Sequence, residues 1–322
     1  LENPQSYVTN NLMCSTNLLE VVREVNPKVV FVYASSSSVY GRNKKIPFSE
    51  KDVVDHPSNV YGASKKANEA WALVYHELFG IKVTGLRFFT VYGPYGRPDM
   101  AIYLWANSIA KNEPLRLYEK KDSWGREIEL KRDFTYVDDI VDGVIGSLSL
   151  GAPHEVFNLG NNQPEPITHL IKYLGEALGR PNPKQSLTPL PPADITATYA
   201  DISHAQRRLG FSPKTSLKEG VKKFVSWYQD YYFPENIVLL FMNNDESFKE
   251  WFSIKGSKKL PNTRFFIFHH GNISQKIIDQ YTMLNLRFRH LESTIAKKNN
   301  QESEDITNTP SPTVDVIANS YK

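Results

Sequence analysis

Residues 29–38 read Val-Val-Phe-Val-Tyr-Ala-Ser-Ser-Ser-Ser, an apolar run that is followed directly by four serines. A short, continuous apolar run of this kind is typical of a strand inside a parallel sheet. The serines then follow the carboxyl end of that strand, where the sites of open α/β sheets lie. The stretch therefore predicts a fold class and the edge of the sheet that carries the chemistry.

Helical and strand patterns alternate around this stretch. Residues 11–25 have a helical pattern that ends before Pro27, and a second helical pattern near Tyr61 precedes a predicted strand near Val83 to Phe89. Such alternation predicts a parallel sheet with helices on both faces. We expect a Rossmann-like, doubly wound α/β domain, with a smaller mixed substrate lobe over residues 100–227.

Tyr61 and Lys65 lie four residues apart in a segment of helical composition. This spacing places both side chains on one face of a helix, where the positive charge of Lys65 can stabilise the phenolate of Tyr61. A phenolate held in this way is a general base near neutral pH. Tyr40 and Lys44 have the same spacing but lie in a turn-forming segment. The helical pair therefore predicts the acid/base device of a nicotinamide-dependent enzyme.

Composition restricts the partners. The 322 residues carry a formal net charge of +3, which is too small to favour nucleic acid or a membrane surface as a partner. Cys14 is the single cysteine, so an intramolecular disulfide is impossible and a reducing compartment is permitted. No apolar run approaches the ~20 residues of a membrane span. We expect a cytoplasmic protein with no membrane segment.

The chain changes character after the helical pattern that ends near Tyr232. Residues 1–233 form the predicted α/β unit, and residues 234–295 have the pattern of a separate, small α/β module. Asn, Ser, Glu, Thr and Pro dominate the last residues, 296–322, which predicts a disordered tail. We therefore expect three segments.

Within the small module, residues 237–242 and 265–268 are predicted strands, and residues 273–292 have apolar residues at helical spacing. His269 and His270 are adjacent and lack a spaced cysteine or carboxylate partner, which does not match the ligand spacing of a zinc site. We predict no metal site.

Four motifs carry a specific family resemblance. The segments Tyr33–Gly41, Tyr61–Lys65, Leu86–Met100 and Arg132–Asp139 occur in the order found in the extended short-chain dehydrogenase/reductase family. Within that family of NAD-dependent epimerases and dehydratases, they look closest to the UDP-glucuronate 4-epimerases. The resemblance covers about residues 1–233, and it implies NAD as cofactor and a UDP-sugar as substrate.

The resemblance also implies a role for each matching residue. Tyr61 would remove the proton from the sugar 4-hydroxyl while hydride passes from C4 to NAD⁺, and the resulting 4-keto sugar would rotate and take the hydride back on its other face. Ser36 would hydrogen-bond the 4-oxygen, and Lys65 would bind the nicotinamide ribose. Cofactor contacts are further implied for Asn11, Ala34, Ser35 and Phe89, although Asn11 could equally cap a helix, Ser35 could form a turn and Phe89 could be core.

The substrate residues favour an acidic sugar. Ser37 and Ser38 stand where related 4,6-dehydratases carry Asp and Glu, so dehydration is disfavoured. The hydroxyls of these serines and of Thr90, together with the charge of Arg97, suit a carboxylate at C6. The resemblance also implies that Arg132 contacts the pyrophosphate and Asp194 the substrate. Arg132 could instead pair with a neighbouring aspartate.

The sequence departs from the family pattern in three places. It contains no glycine-rich cofactor loop, and at ~30 residues per βαβ unit we expect an opening of roughly 80–90 residues to be missing. Residues 118–131 are longer and more charged than the usual connection, which predicts an exposed hairpin, and residues 234–322 lie outside the resemblance. A non-catalytic remnant that binds a partner or a sugar nucleotide is therefore the alternative, and a UDP-glucose type of epimerase is the second. Homodimerisation is left open.

Overall fold

A computed structural model describes residues 3–191, 195–233, 236–242 and 263–269. The chain divides into two compact units, Leu1–Ser226 and Trp227–Lys322, so the division falls a few residues before the boundary predicted after residue 233. The functional elements considered below all belong to the first unit.

The elements are numbered in chain order. The helices are α1 (Pro4–Tyr7), α2 (Cys14–Val25), α3 (Val60–Phe79), α4 (Ala101–Ala110), α5 (Val137–Leu150), α6 (Ile167–Ala177), α7 (Ser203–Leu209) and α8 (Leu217–Tyr232), with a π-helical segment at Val8–Met13 and a 3-10 turn at Ser37–Tyr40. The strands are β1 (Val30–Ser36), β2 (Lys82–Phe88), β3 (Thr90–Tyr92), β4 (Leu115–Glu119), β5 (Lys131–Tyr136), β6 (His154–Leu159), β7 (Pro164–Pro166), β8 (Gln185–Pro189), β9 (Asn236–Met242) and β10 (Thr263–His269).

The main sheet of the first unit is parallel, in the order β1-β2-β6. Phe31 and Tyr33 point to the side of α2 and α3, whereas Val32 packs in the core cluster that includes Ile140 of α5. Since successive residues of a strand point to opposite faces, helices cover both faces of the sheet. This confirms the predicted α/β class with parallel strands.

Strand β1 is less buried than its apolar sequence predicts. Residues 30–33 are only half-buried, and within the described residues β1 pairs with β2 alone. The apolar run therefore identified a strand correctly but not its position at the edge of the described sheet.

The remaining strands of the first unit form a mixed second layer. Strand β5 pairs in parallel with β3 and antiparallel with β7, and β4 pairs in parallel with β8. Short strands of both directions match the prediction of a mixed substrate lobe. Because Thr90 lies opposite Phe134 in this layer, the end of the main sheet and the Arg132–Asp139 motif are brought together.

The first helical region begins earlier than the prediction of residue 11. Asn3 caps helix α1, because its side-chain oxygen accepts a hydrogen bond from the Ser6 backbone N–H at 3.2 Å, and Pro4 occupies the first helical position. Both are standard start signals, because Asn satisfies a free N–H and Pro has none to satisfy. Helical structure then runs to Val25, with the π-helical segment in its middle.

Three other predictions agree with the structure. Residues 118–131 form a hairpin whose turn places Trp124 at the surface, 79% exposed. Helix α8 carries the predicted apolar face, since Val221, Phe224 and Val225 are buried. In the second unit, the two predicted strands correspond to β9 and β10, which pair in parallel. Within the described ranges, no helix combines the length and apolar character that a membrane crossing requires.

The helix predicted at residues 273–292 and the tail predicted at 296–322 lie outside the described residues, as does Asp194.

Asp133 joins the main sheet to the second layer from a fully buried position on β5. Its carboxyl oxygens accept hydrogen bonds from the backbone N–H groups of Asn161 at 2.5 Å and Ala200 at 2.9 Å. Burial raises the pKa of Asp133 to about 6, although these N–H groups oppose the shift.

The raised pKa of Asp133 gives a signed prediction for stability. Its contribution to the free energy of unfolding is fully present below about pH 4 and is lost as the pH rises through about 6. Asp133→Asn does not titrate. The quantity to follow is the stability advantage of the unaltered protein, which is its free energy of unfolding minus that of Asp133→Asn. We expect this advantage to fall by on the order of 3 kcal/mol as the pH rises from about 4 to above about 6. Urea unfolding at several pH values measures it, and a difference that grows with pH would contradict the expectation.

Candidate active site

Helix α3 begins where it can present Tyr61 in its first turn. Asn59 caps the helix, its side-chain oxygen accepting a hydrogen bond from the Gly62 N–H at 2.8 Å. An asparagine at this position satisfies a free N–H and fixes the first turn. At the other end, Gly80 takes the left-handed conformation that closes the helix. The predicted helical context of Tyr61 is confirmed.

Lys65 links this helix to the end of β1. Its ammonium Nζ donates a hydrogen bond to the Ala34 carbonyl oxygen at 2.9 Å, and lies 5.9 Å from the centroid of the Tyr61 ring. Burial lowers the pKa of Lys65. Two of the three predicted catalytic residues, Tyr61 and Lys65, thus share one face of α3, and the predicted cofactor residue Ala34 supplies the main-chain oxygen that Lys65 binds.

The serine run spans the end of β1, at Ser35 and Ser36, and the start of the 3-10 turn, at Ser37 and Ser38, beside the start of α3. The Ser36 hydroxyl oxygen accepts a hydrogen bond from the Ser38 N–H at 3.1 Å, and Ser36 is buried while Ser37 and Ser38 are half-buried. A Cβ atom on Gly62 would lie 2.5 Å from the Ser38 carbonyl oxygen. Only a glycine allows the turn to approach the helix this closely.

Asn11 reaches the same helix from the π-helical segment. Its amide donates to the Ser64 hydroxyl at 2.8 Å, and Asn68 donates to the Asn11 carbonyl oxygen at 2.9 Å. The Ser64 hydroxyl in turn donates to the Tyr61 carbonyl oxygen at 2.8 Å. Asn11 therefore lies inside a helical run and ties it to α3. The alternative in which it caps a helix does not hold, and its contact with a cofactor stays a prediction.

Two other predicted cofactor residues point into the interior. The Ser35 hydroxyl donates to Glu69 Oε1 at 2.6 Å, so a cofactor contact of Ser35 falls to its main chain. Phe89 is buried in the core cluster, with its ring 6.3 Å from that of Tyr40 and 6.4 Å from that of Phe48. Phe89 is thus a core residue, as the alternative predicted. A contact of Phe89 with a cofactor stays a prediction.

The predicted substrate residues are more widely distributed. Thr90 begins β3 and is half-buried, and Arg97 is 73% exposed at its side chain and forms a two-pronged ion pair with Asp99 at 3.0 and 2.5 Å. Arg97 nevertheless lies close enough to Tyr61 and Tyr7 to interact with them electrostatically. Arg97 and Tyr61, the predicted base, therefore belong to one region.

Arg132 lies at the start of β5. Its guanidinium donates to the Lys131 carbonyl oxygen at 2.8 Å and to the Thr196 carbonyl oxygen at 3.3 Å. Both contacts hold the guanidinium against the main chain, and Asp194 lies outside the described part of the chain. The pyrophosphate role of Arg132 stays a prediction.

Sequence reasoning misses three residues near the site. The Tyr7 ring lies 6.1 Å from the Tyr61 ring, and Glu69 and Arg87 form a buried ion pair behind the serine turn. Glu69 had a usable signal, since it follows Lys65 by four residues on a helix and so continues the face of Tyr61 and Lys65. Tyr7 and Arg87 come from distant segments and carried no local signal.

Residues 1–160 match the NAD dependent epimerase/dehydratase family. UDP-glucuronate 4-epimerase 1 of Arabidopsis thaliana is 45% identical over 246 residues, covering 72% of this chain and 56% of that protein. An uncharacterised 37.6 kDa protein of Escherichia coli O111:H- is 42% identical over 250 residues, covering 72% of each chain. The chain thus spans little more than half the length of the curated plant enzymes that it matches.

Solved structures show the same likeness. The UDP-glucuronic acid 4-epimerase of Bacillus cereus, in complex with UDP-glucuronic acid and NAD, is 33% identical and superposes with a TM-score of 0.63. The match covers 70% of this chain and 69% of that enzyme.

The close approach at Gly62 predicts that replacing this helical glycine with alanine destabilises the protein. Helix propensity alone would make Gly62→Ala more stable by about 1 kcal/mol. The 2.5 Å approach of the Ser38 carbonyl oxygen should instead make it less stable, by about 1–3 kcal/mol. Thermal unfolding measures the difference. Ala63→Gly at the next, exposed position is the control and should lose about 1 kcal/mol through propensity only. A higher melting temperature for Gly62→Ala would refute the steric role.

Proposed function

Because the chain belongs to the NAD dependent epimerase/dehydratase family, we propose that it acts as a UDP-sugar 4-epimerase that interconverts UDP-glucuronate and UDP-galacturonate. The observation that supports the proposal most directly is the position of Lys65. Its ammonium contacts both the end of β1 and the face of Tyr61. An acid/base residue, its cationic neighbour and a serine turn therefore meet at the carboxyl end of a parallel strand.

The proposed proton transfer uses Tyr61 and Ser36. The Tyr61 oxygen takes the proton from the sugar 4-hydroxyl and later returns it to the 4-oxygen, with the charge of Lys65 stabilising the phenolate. Ser36 uses its oxygen as the acceptor for the Ser38 N–H, so its own O–H can donate to the 4-oxygen of the sugar. The two side chains would thus hold the reacting oxygen from two sides.

The residues present fit the nicotinamide end of NAD. A lysine ammonium has three donors, and Lys65 uses one of them on Ala34, so two can face the hydroxyls of a ribose. When bound, NAD supplies the acceptor and donor of the hydride at C4. The Ala34 carbonyl oxygen holds the Lys65 ammonium in place, and partial burial lowers the pKa of Lys65.

The uronate substrate is supported by hydroxyl groups and one cation near the site. Ser37, Ser38 and Thr90 are half-buried and offer three hydroxyl donors at the ends of β1 and β2. The planar guanidinium of Arg97 already binds one carboxylate, that of Asp99, through two hydrogen bonds. A sugar carboxylate could replace Asp99 with the same geometry. A sugar with a neutral C6 hydroxyl would gain much less from this exchange.

Turnover of the chain with NAD and UDP-glucuronate tests the proposal, with Tyr61→Phe as the critical variant. Removing the phenolic oxygen should lower kcat by about 10²–10⁴-fold and leave the fold intact. Product formation is followed by proton NMR of the sugar, and folding by circular dichroism. The control is Tyr75→Phe, the same change further along α3, where the hydroxyl donates to Glu20.

Three outcomes are informative. Equal turnover of Tyr61→Phe and the unaltered chain would reject Tyr61 as the base. Turnover of UDP-glucose in preference to UDP-glucuronate would favour the UDP-glucose type of epimerase. Tight binding of the UDP-sugar by calorimetry without any turnover would favour the non-catalytic alternative.

Arg97→Ala tests the choice of an acidic sugar. A charge-assisted hydrogen bond contributes about 1.5–3 kcal/mol, so the KM for UDP-glucuronate should rise roughly 10–150-fold. The KM for UDP-glucose should change little, because that sugar has no carboxylate. Arg208→Ala is the control, since Arg208 also pairs with a carboxylate, Glu155, at the surface. An equal effect on both sugars would show that Arg97 does not recognise the carboxylate.

A further inference from the structure

We propose that the buried ion pair of Glu69 and Arg87 positions the catalytic groups, by holding the end of β1 and the serine turn against helix α3. It would thereby fix Ser36 relative to Tyr61 and Lys65. The expected effect on kcat rests on the epimerase function proposed above. The expected effect on the surroundings of Lys65 does not rest on it, and can be measured without turnover.

The ion pair has a well-defined, two-pronged geometry. Arg87 Nε donates to Glu69 Oε1 and Arg87 Nη2 donates to Glu69 Oε2, each at 2.8 Å. The side chains are only 5% and 7% exposed. A forked pair restrains both distance and orientation, unlike a contact between two point charges. Since Glu69 belongs to α3 and Arg87 to β2, the pair fastens the helix to the sheet.

The same two side chains bind residues on both sides of the serine turn. The Ser35 hydroxyl donates to Glu69 Oε1 at 2.6 Å, and Arg87 Nη1 donates to the Tyr40 hydroxyl at 3.0 Å. Ser35 precedes Ser36 directly, and Tyr40 ends the 3-10 turn. The three serines 36–38 are thus bracketed by two residues that are both bound to the ion pair.

Helix α3 contacts the end of β1 through two residues that are one turn apart. Lys65 binds the Ala34 carbonyl oxygen and Glu69 binds the Ser35 hydroxyl. With Tyr61, these residues are spaced four apart and lie along one face of the helix. If the contact of Glu69 is removed, only the Lys65 contact of this pair remains at the strand end, so the burial of Lys65 and its place beside Tyr61 should change.

The hydrogen bonds of the ion pair continue away from the site, through Tyr40, to three other segments of the chain. The Tyr40 hydroxyl donates to Asn158 Oδ1 at 2.7 Å, and the Asn158 amide donates to the carbonyl oxygens of Phe48 at 2.9 Å and Asp201 at 3.1 Å. Buried ion pairs often stabilise a protein no more than apolar residues of the same volume, because both charges lose their water. A fixed geometry at the serine turn is a reason for this chain to bury two charges there.

Titration of Lys65 by NMR tests the proposal without any need for turnover. Lysine labelled with ¹³C is used, and the Lys65 signal is assigned by its loss in Lys65→Arg. In Glu69→Gln we expect the pKa of Lys65 to shift upward, towards its ordinary range, because burial is what lowers it and the released strand end no longer shields it. This upward shift must exceed the smaller, downward effect of removing the Glu69 carboxylate one turn away. Where turnover is present, kcat should fall by about 10²-fold with a smaller change in KM, as expected for misplaced groups.

A matched control separates positioning from the general effect of losing an ion pair. Glu20→Gln removes another glutamate that binds both an arginine, Arg23, and a tyrosine, Tyr75, which lies near the far end of α3. We expect it to leave the Lys65 titration and kcat unchanged. A shift of Lys65 in Glu20→Gln equal to that in Glu69→Gln would overturn the proposal.

Two more variants keep the test decisive. Arg87→Lys retains the charge but not the fork, and should shift Lys65 as Glu69→Gln does; behaviour like that of the unaltered chain would overturn the positioning role of the fork. Should Glu69→Gln fail to fold, Ser35→Ala removes only the link between Ser35 and Glu69, and the same upward shift is expected. An unchanged pKa of Lys65 in Ser35→Ala would also overturn the proposal. These titrations remain informative if the unaltered chain shows no turnover.

Discussion

The contact between the end of one parallel strand and the first turns of one helix is the constraint on which the site depends. Gly62 lets the Ser38 carbonyl oxygen come closer to α3 than any side chain would permit, and Lys65 closes the same gap with a hydrogen bond to Ala34. Both contacts bring the Tyr61 end of α3 up to the Ser36 end of β1. The remaining structure of the first unit, from the two core clusters to the mixed second layer, keeps these layers in register.

The sequence predicted the features whose cause is local. Tyr61 and Lys65 could be paired because helical spacing alone brings them together, and β1 could be recognised from five consecutive apolar residues. The half-burial of β1 could not be predicted, since it depends on how many strands pair with it. The Ser35 hydroxyl was equally ambiguous, because its partner Glu69 is distant in sequence and becomes a neighbour only in the folded chain. The early helix start was predictable from Asn3 and Pro4 but was missed.

Adjacent residues of one motif serve different layers of the structure. Arg132 and Asp133 follow one another on β5, and a strand directs successive side chains to opposite faces. Asp133 is buried and binds backbone N–H groups of two other segments, while Arg132 is half-buried and contacts the segment near Thr196. The motif thus contains a residue that maintains the fold beside one whose ligand role stays a prediction. Sequence alone does not separate the two.

The order in which these contacts form has a consequence for folding kinetics. Helix α3 carries the Tyr61–Lys65 spacing from the moment it coils, and helices form within microseconds. The serine turn reaches that helix only when β1 pairs with β2, joining Val30 to Lys82, and β2 pairs with β6, joining Val83 to His154. Parallel pairings between segments so distant along the chain are slow to form. Helix α3 and the serine turn therefore form on different timescales. The site is complete only when the parallel sheet has formed.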